Sequence, residues 1–169
     1  MKTKEILFTA SAEFAGIRLR VITSQNGILN IIFNDLTELK DTNITTLHPD
    51  DPFMFNVFKE LDGYFQCKRK VFSVPLDIRG TDFQKRVWNE LLKIPYGETI
   101  SYKHIANKLG DEKNVRAVGG ANGANPIPII IPCHRVINAD GSLGGYTGGL
   151  GIKEKLLKLE GSLTLELFD

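Results

Sequence analysis

Cysteine is scarce in this chain of 169 residues, where Cys67 and Cys133 are the only two. One pair of thiols cannot form a disulfide framework. Neither cysteine stands in the CxxC or Cys/His clusters typical of structural zinc. We therefore expect no metal, and because the chain offers no cofactor motif we expect no cofactor either. A lone thiol in a reducing compartment can be reactive, and we expect the protein to be cytoplasmic.

A strong excess of either charge is also lacking, because the formal net charge is +1. Contact with a nucleic acid must then come from local patches and close backbone approach, since no strong overall field attracts it. Lys2 and Lys4 are not followed by a long apolar run. We therefore expect neither a signal peptide nor a membrane-spanning helix.

The first part of the chain has the pattern of a small sheet. Apolar and β-branched runs predict strands over Glu5–Thr9, Gly16–Ile22 and Ile28–Phe33. Asn26–Gly27 is a hairpin turn signal between the second and third strands. The polar stretch Asp41–Pro49 predicts a loop.

A helix and an extended segment complete this first part. Apolar residues recur at helical spacing from Asp51 to Phe65, and Phe72–Ile78 returns to extended chain. Beyond it the pattern is mainly helical. The fold class predicted is α/β of the α+β kind: a small N-terminal domain of mixed sheet and helix over residues 1–79, then a mainly helical C-terminal domain over residues 80–169.

Three helices are predicted early in the second part. The first begins at a Thr81 or Asp82 cap and ends before Pro95. The second runs from a Ser101 cap to Leu109, and the third covers Lys113–Asn122. Two short helices joined by a tight turn resemble a helix-turn-helix, although many helical bundles contain such a pair.

The third of these helices is rich in glycine, which lowers helix stability by about 1 kcal/mol relative to alanine. Arg116, Gly120 and Gly123 share one face. Small residues there indicate close approach by another surface, and tight packing against a neighbouring helix is the simpler interpretation.

A run of isoleucines, Ile129–Ile131, is typical of a buried strand, and Pro132 should end its pairing. Cys133 would then lie at the rim of the core. Its thiolate is the nucleophilic form, and a free thiol with a pKa of about 8.5 is mostly protonated at neutral pH. A reactive cysteine and an inert buried one both fit this pattern.

A last amphipathic helix is predicted over Ile152–Leu159, with Lys153, Lys155 and Lys158 on its solvated face. Glu160 lies at its end, where the macrodipole disfavours a carboxylate unless a cationic or hydrogen-bonding partner is present. In extended backbone, His134 need not touch its neighbouring cysteine. A water molecule between the two, with Glu160 orienting the imidazole, would connect them.

Several motifs together resemble one family. Pro132–Val136 closely resembles the active-site motif of the O6-alkylguanine-DNA alkyltransferases, also called methylated-DNA–protein-cysteine methyltransferases. Other stretches resemble, in the same order and spacing, the entry to that family's DNA-binding motif, its recognition helix and the segments flanking its cysteine: Pro95–Tyr102, Arg116–Ala121, Asn125–Pro128 and Tyr146–Leu150. The similarity covers about residues 81–161 and extends to the first 80 only in general character.

This resemblance implies DNA repair by irreversible transfer of an alkyl group from guanine O6 to Cys133, one lesion per protein molecule. It implies that His134 is the water-mediated base and that Glu160 completes the relay. Asn125 would hold the backbone between the recognition helix and the active-site segment. The partner implied is double-stranded DNA containing O6-alkylguanine, bound in its minor groove by a monomer, with O4-alkylthymine as a further candidate.

The resemblance also implies how the lesion is held once it has flipped out of the duplex. Tyr102 would contact the target nucleotide, and Arg116 would enter the stack as a finger. The backbone near Cys133 and Val136 would receive the guanine amine. The pocket wall would be formed by Tyr146, Thr147 and Gly148.

Some features depart from the family's pattern. The N-terminal part lacks the cysteine and histidine ligands with which some relatives bind zinc, which again predicts no metal. Thr147 stands where some relatives have serine. Cys67 lies outside every motif, and we expect a structural role for it.

Three other functions remain to be weighed. An alkyltransferase-like protein would bind lesions without accepting the alkyl group, but such proteins lack the reactive cysteine that Cys133 supplies. A plain helix-turn-helix regulator has no use for the cysteine motif. A cysteine hydrolase would need an oxyanion-binding motif beside the thiol, and none is present.

Overall fold

The computed structural model describes residues 5–35, 37 and 43–163. The chain divides into two compact units, an N-terminal unit of Met1–Arg79 and a C-terminal unit of Gly80–Asp169. Mixed sheet and helix make up the first unit, and helices dominate the second.

The N-terminal unit is a four-stranded sheet with one helix. Its strands are β1 (Leu7–Phe14), β2 (Ile17–Ser24), β3 (Gly27–Phe33) and β4 (Ile44–Thr46), and its helix is α1 (Phe55–Phe65). The strand order is β3-β2-β1-β4. Neighbours run antiparallel except β1 and β4, which are parallel. The three strands predicted from apolar runs are confirmed, although the first lies further along the chain than Glu5–Thr9.

Alternating burial explains why β2 forms where it does. Ile17, Leu19 and Val21 are buried on one face, whereas Arg18 points to solvent. Phe14 on β1 stacks on α1, with ring centroids 5.3 Å from Phe65. The helix therefore packs its apolar side on the sheet, as the period of its apolar residues predicts.

The loop predicted over Asp41–Pro49 is wrong in part, because Ile44–Thr46 forms β4; residues 41 and 42 lie outside the described residues. Leu7 donates its N–H to Asn43 O at 2.9 Å, and Leu47 donates to Thr9 O at 2.8 Å. Three β-branched residues at the edge of an existing sheet adopt extended backbone readily.

The hairpin predicted between the second and third strands is confirmed, but its turn is Gln25–Asn26, one residue earlier than predicted, and Gly27 begins β3. Its φ is +147°, and a Cβ there would lie 2.5 Å from Pro75 O. Only glycine lets the extended segment approach so closely that Ile28 N–H bonds that carbonyl at 2.9 Å. Cys67 lies exposed just beyond α1, so the structural role expected for it is not one in the core.

The C-terminal unit contains four helices and two short strands. They are α2 (Asp82–Leu91), β5 (Ile100–Ser101), α3 (Tyr102–Lys108), α4 (Val115–Gly123), β6 (Val136–Ile137) and α5 (Leu150–Leu159). Strands β5 and β6 pair in parallel. The described helices are too short or too polar to cross a membrane.

Side-chain caps fix where the helices begin. Thr81 and Gln84 form a capping box at the start of α2. Ser101 accepts a hydrogen bond from His104 N–H at 3.1 Å and so begins α3. A turn that includes a short 3₁₀ segment, Glu112–Asn114, joins α3 to α4. The helix-turn-helix is thereby confirmed.

The isoleucine run is buried but is not a strand, so that prediction is wrong. Ile129 has φ +75°, a conformation that a β-branched residue rarely adopts. Prolines at 126, 128 and 132 have no N–H to donate, and a regular ladder cannot form through them. The segment instead closes on itself, with Ile131 N–H bonding Ile127 O at 2.9 Å.

Candidate active site

Asn125 holds this irregular segment together. Its Nδ2 donates to Ile131 O at 2.7 Å, and its Oδ1 accepts from Ile127 N–H at 3.0 Å. The amide thus replaces the pairing that the prolines prevent. The chain then enters a 3₁₀ turn, Cys133–Arg135, rather than the extended backbone expected there.

The thiol of Cys133 is shielded from solvent, with only 3% of the residue exposed. Burial raises its pKa, and hydrogen bonds from Asn125 and Tyr146 together with the charge of Lys153 offset part of that effect. Because the pKa remains above the ordinary value, the thiol is protonated at neutral pH. It needs a base before it can act as a nucleophile.

His134 and Glu160 form a buried pair beside this thiol. The imidazole Nε2 lies 2.7 Å from Glu160 Oε1, and neither side chain has any solvent exposure. Arg135 completes the cluster, with Nε 2.8 Å from Glu160 Oε2 and Nη2 2.9 Å from Oε1. The carboxylate at the end of α5 therefore has both a cationic and a hydrogen-bonding partner, which is what the macrodipole argument required.

The charge on this carboxylate fixes which nitrogen of His134 is basic. Burial raises the pKa of Glu160, but hydrogen bonds and charge from His134 and Arg135 overcome it and lower the pKa to about 2. An ionised carboxylate only accepts, so Nε2 carries the proton. Burial lowers the pKa of His134 more than Glu160 raises it, and the ring is neutral. Nδ1 is buried and has no hydrogen-bond partner among the described residues.

Arg135 is a site residue that the motif contained but that was assigned no role. Besides its bidentate bond to Glu160, its Nη1 donates to Ile94 O at 2.6 Å. Its guanidinium carbon lies 5.8 Å from the ring centroid of Tyr96. Arginine beside an acidic residue could have been found by asking what offsets the charge of Glu160 at a helix end.

Lys153 was expected on the solvated face of the last helix, and this is wrong. The residue has no solvent exposure. Its Nζ donates to Val136 O at 2.6 Å, to Leu143 O, and to Gly145 O at 3.4 Å. Burial lowers its pKa to about 8, which still leaves it charged at neutral pH. Three carbonyl acceptors match the three N–H donors of an ammonium group.

An open pocket of about 500 Å³, a volume typical of small-ligand sites, lies beside Cys133, since its wall residues Asn122 and Tyr146 contact that residue. Its walls come from α3, α4 and the segment between β6 and α5. They are formed by Tyr102, Val115, Gly119, Asn122, Gly123, Asn138, Gly145, Tyr146 and Thr147. Burial, and to a smaller extent the charge of Cys133, raises the pKa of Tyr102. Its hydroxyl therefore stays protonated and can donate a hydrogen bond.

Pairing of β5 with β6 brings the two sides of the pocket together. Ile100 is opposite Val136, so Tyr102 begins α3 next to the Cys133–Arg135 turn. On the far side, Thr147 Oγ1 donates to Gly123 O at 2.7 Å and ties the pocket segment to α4. The threonine at this position therefore contributes its hydroxyl to the fold.

The predicted site residues fall into two groups. Asn125, His134 and Glu160 surround or support the thiol, and Tyr102, Tyr146 and Thr147 form the pocket wall beside it. Val136 is buried and does not line the pocket, and Gly148 lies in the same segment as Tyr146 without lining the pocket. Arg116 is exposed in the first turn of α4, outside the pocket.

The exposed face of α4 is not packed against a neighbouring helix. A Cβ added at Gly119, Gly120 or Gly123 would meet no heavy atom within 4 Å. The simpler interpretation of the glycines, tight packing within the chain, is therefore wrong. Elsewhere, no three His, Cys, Asp or Glu side chains of residues 5–35, 37 and 43–163 are grouped to hold a metal ion.

Comparison with known families identifies both units. Residues 17–78 match the ribonuclease-like domain, and residues 82–162 the DNA binding domain, of 6-O-methylguanine DNA methyltransferase. The chain belongs to this family. The methylated-DNA–protein-cysteine methyltransferase of Mycobacterium bovis is 46% identical over 164 residues, covering 90% of this chain and 99% of that protein. That of Methanosarcina acetivorans is 55% identical over 113 residues, 67% of this chain and 72% of that protein.

Solved structures agree with this family. The chain matches the crystal structure of Mycobacterium tuberculosis O6-methylguanine methyltransferase with a TM-score of 0.83 and 41% identity, covering 97% of this chain and 100% of that one. It matches the M. tuberculosis OGT structure in complex with DNA with a TM-score of 0.80 and 43% identity, covering 92% and 93%.

Replacing Glu160 should remove an acid-sensitive part of the stability of this methyltransferase-family protein. The pKa of Glu160 is about 2 in the folded protein and about 4.3 in the unfolded chain. At pH values above about 4.3 the carboxylate therefore contributes about 3 kcal/mol to the free energy of unfolding. This contribution is lost as pH falls toward 2. We expect Glu160→Gln to be less stable at neutral pH and to lose less further stability in acid.

Urea unfolding followed by Trp88 fluorescence measures this, because Trp88 is the only tryptophan and belongs to the C-terminal unit. Glu154→Gln is the matched control, since Glu154 lies half-exposed on the same helix and pairs only with Lys158 among the described ion pairs. Equal pH profiles for Glu160→Gln and Glu154→Gln would rule out the buried ionised pair.

Replacing Lys153 by methionine should raise the pKa of the Cys133 thiol, because the ammonium charge lowers it. The pocket segment should also exchange its amide hydrogens faster once Leu143 O and Gly145 O lose their donor. The pH dependence of iodoacetamide labelling, in a Cys67→Ser background, reports the pKa. Lys155→Met on the exposed face is the control, and identical titrations for both variants would contradict the role of Lys153.

Proposed function

We propose that this protein repairs DNA by taking the alkyl group from O6 of guanine onto Sγ of Cys133, once per molecule. The observation that carries this proposal is a buried thiol beside an open pocket, next to a neutral His134 anchored by an ionised Glu160. A methyltransferase whose acceptor is a cysteine needs a thiol that a neighbouring base can deprotonate, and this arrangement provides both groups.

The first step generates the thiolate. A water molecule between Sγ of Cys133 and Nδ1 of His134 passes the thiol proton to the ring, and Glu160 stabilises the imidazolium that forms. Nδ1 suits this role because it is buried and has no partner among the described side chains and backbone. The positive charge of Lys153 stabilises the thiolate on the other side.

The second step is a displacement at the alkyl carbon. The thiolate forms a C–S bond while the C–O6 bond breaks, and the electron pair of that bond remains on the guanine oxygen. The guanine anion then takes up, through water, the proton that His134 had accepted from the thiol, and the imidazole returns to its neutral form. The hydroxyl of Tyr102 donates a hydrogen bond to the departing base. A thioether is chemically stable, so the protein is used once.

Access to O6 requires the nucleotide to leave the stack, which costs a few kcal/mol. Arg116 in the first turn of α4 fills the vacated space and offsets part of that cost. The glycine face of α4, open to solvent, allows the helix to approach the minor groove closely. Double-stranded DNA is the partner, and shape rather than sequence governs binding.

The flipped base lies between Tyr102 and the segment of Tyr146, Thr147 and Gly148. Its amine meets backbone carbonyls near Cys133 and Val136; the latter also accepts from Lys153, and a carbonyl can accept twice. One chain carries all these groups, which supports action as a monomer. A DNA substrate and a thiol that must stay reduced support a cytoplasmic location.

The transfer should be visible as mass. Incubation with duplex DNA containing O6-methylguanine should add one methyl group per chain, on the peptide that contains Cys133. Cys67→Ser should react as the wild type does, and Cys133→Ser should gain nothing. A protein that binds the lesion while Cys133 stays unmodified would instead be a lesion-binding protein, and methylation of Cys67 would contradict the assigned acceptor.

Arg116→Ala should slow repair in duplex DNA by about tenfold or more, because about 1.4 kcal/mol of lost support for the flipped state gives that factor. Reaction with free O6-methylguanine base should change little, since no stack must be filled. Single-turnover rates with both substrates test this. Arg18→Ala, an exposed arginine of β2, is the control; equal losses with both substrates would remove the finger role.

A further inference from the structure

The turn Ile94–Gly97 contacts the buried pair of Arg135 and Glu160, and the mechanism above does not use it. Its first residue accepts at Ile94 O from Arg135 Nη1 at 2.6 Å. Its last residue, Gly97, donates its N–H to Glu160 Oε2 at 3.2 Å. The guanidinium and the carboxylate are therefore both bound by this one turn.

The local sequence explains why the chain turns here. Glu98 N–H bonds Pro95 O at 3.2 Å, and Gly97 between them has φ +82°, a conformation that favours glycine. A Cβ at Gly97 would lie 3.0 Å from the backbone oxygen of Glu160. Glycine therefore lets the turn approach the end of α5 closely enough to bind the carboxylate.

Tyr96 brings the aromatic ring of this turn to the guanidinium. The guanidinium carbon of Arg135 lies 5.8 Å from the ring centroid, within the range of a cation–π interaction. The hydroxyl donates to Leu159 O at 3.2 Å, which ties the ring to the end of α5. Tyr96 is half-buried and the Arg135 side chain is 7% exposed, so the ring covers part of a cation that water would otherwise reach.

We propose that Tyr96 is a positioning residue of the proton relay, whose ring holds Arg135 against Glu160 and keeps water out of this buried pair. The proposal rests on the proposed function, because it concerns the base of that reaction. Arg135 binds the carboxylate through two nitrogens, and a guanidinium fixed at a ring face keeps that geometry. Without the ring, the guanidinium is less constrained and water can hydrate the carboxylate.

Water at this pair would change the basicity of His134. Burial is the main reason that its pKa lies below the ordinary value, and the charges of Arg135 and Lys153 act in the same direction. Glu160 raises that pKa, and its charge remains when the ring is lost, whereas the thiol of Cys133 is neutral. Less burial therefore raises the pKa of His134, so that in mild acid a larger share of the rings is protonated and cannot accept the thiol proton.

A purely structural role for Tyr96 makes a different prediction. If the ring only stabilises the fold, its loss should lower the share of chains that can react. The rate constant of the folded chains would then keep its wild-type pH dependence. The amplitude of methylation counts the reactive chains, and the rate constant does not depend on their number. One experiment therefore separates the two roles.

The test follows methylation of Cys133 by free O6-methylguanine base across a pH series, so that DNA binding plays no part. For Tyr96→Ala we expect the pH of half-maximal rate to rise by about half a unit or more, because a cation–π contact is worth about 1 kcal/mol. The maximal rate should change less than about twofold. Tyr96→Leu, which keeps an apolar side chain without the ring, should show the same shift.

Tyr96→Phe retains the ring and should keep the wild-type midpoint. Phe83→Ala is the matched control, since Phe83 is a half-buried aromatic residue of α2 in the same unit, and it should also keep that midpoint. A shift in Tyr96→Phe as large as that in Tyr96→Ala would overturn the role of the ring.

Nitrogen NMR of His134 makes the same comparison without any substrate. The midpoint of its titration should rise in Tyr96→Ala and Tyr96→Leu and stay unchanged in Tyr96→Phe. Titrations of Tyr96→Ala and Tyr96→Leu that coincide with the wild type would overturn the inference. A wild type that fails to methylate Cys133 would instead overturn the proposed function, and the titration would still decide the role of Tyr96.

Discussion

The buried carboxylate of Glu160 is the group on which the rest of the site depends. It is held by Arg135 on one side and His134 on the other, with no solvent exposure of its own side chain. Because Arg135 keeps it ionised, it can only accept, and the proton of the imidazole must lie on Nε2. Nδ1 is then the basic nitrogen. The cost of burying this charge pair is offset by the hydrogen bonds that it makes, and in the proposed relay the pair sets the direction of proton transfer.

Burial of the thiol has two consequences that belong together. It raises the pKa of Cys133, so less of the thiol is in the nucleophilic thiolate form and it reacts more slowly with reagents in solution. In the proposed mechanism, reaction then requires both the histidine relay and a substrate that has entered the pocket. This low reactivity is useful in a nucleophile that is used only once, because reaction with any other compound would inactivate the protein. The positive charge of Lys153 lowers the pKa of the thiol and so offsets part of the effect of burial.

Local sequence patterns predicted most of the helices and strands. They did not predict contacts between residues that are far apart in the sequence. Ser101 was recognisable as a cap, and the helix-turn-helix followed from it. The isoleucine run was predicted as a strand because side-chain propensity does not register the missing N–H donors of the three prolines. Lys153 was assigned to solvent because its acceptors, Val136 O and Leu143 O, belong to loops whose positions depend on the tertiary fold. Glu160 could be placed beside His134 because a carboxylate at a helix end needs a partner, and the family resemblance implied the same relay.

The tautomer of His134 decides whether Glu160 holds the imidazole proton on Nε2 and leaves Nδ1 as the basic nitrogen. Nitrogen NMR of the imidazole can be assigned simply, because the chain has three histidines and His134→Asn identifies the signal. We predict a neutral ring at neutral pH, with the proton on Nε2 and none on Nδ1, and with a pKa below the ordinary value of a histidine. A proton on Nδ1, or an imidazolium at neutral pH in the unreacted protein, would contradict it.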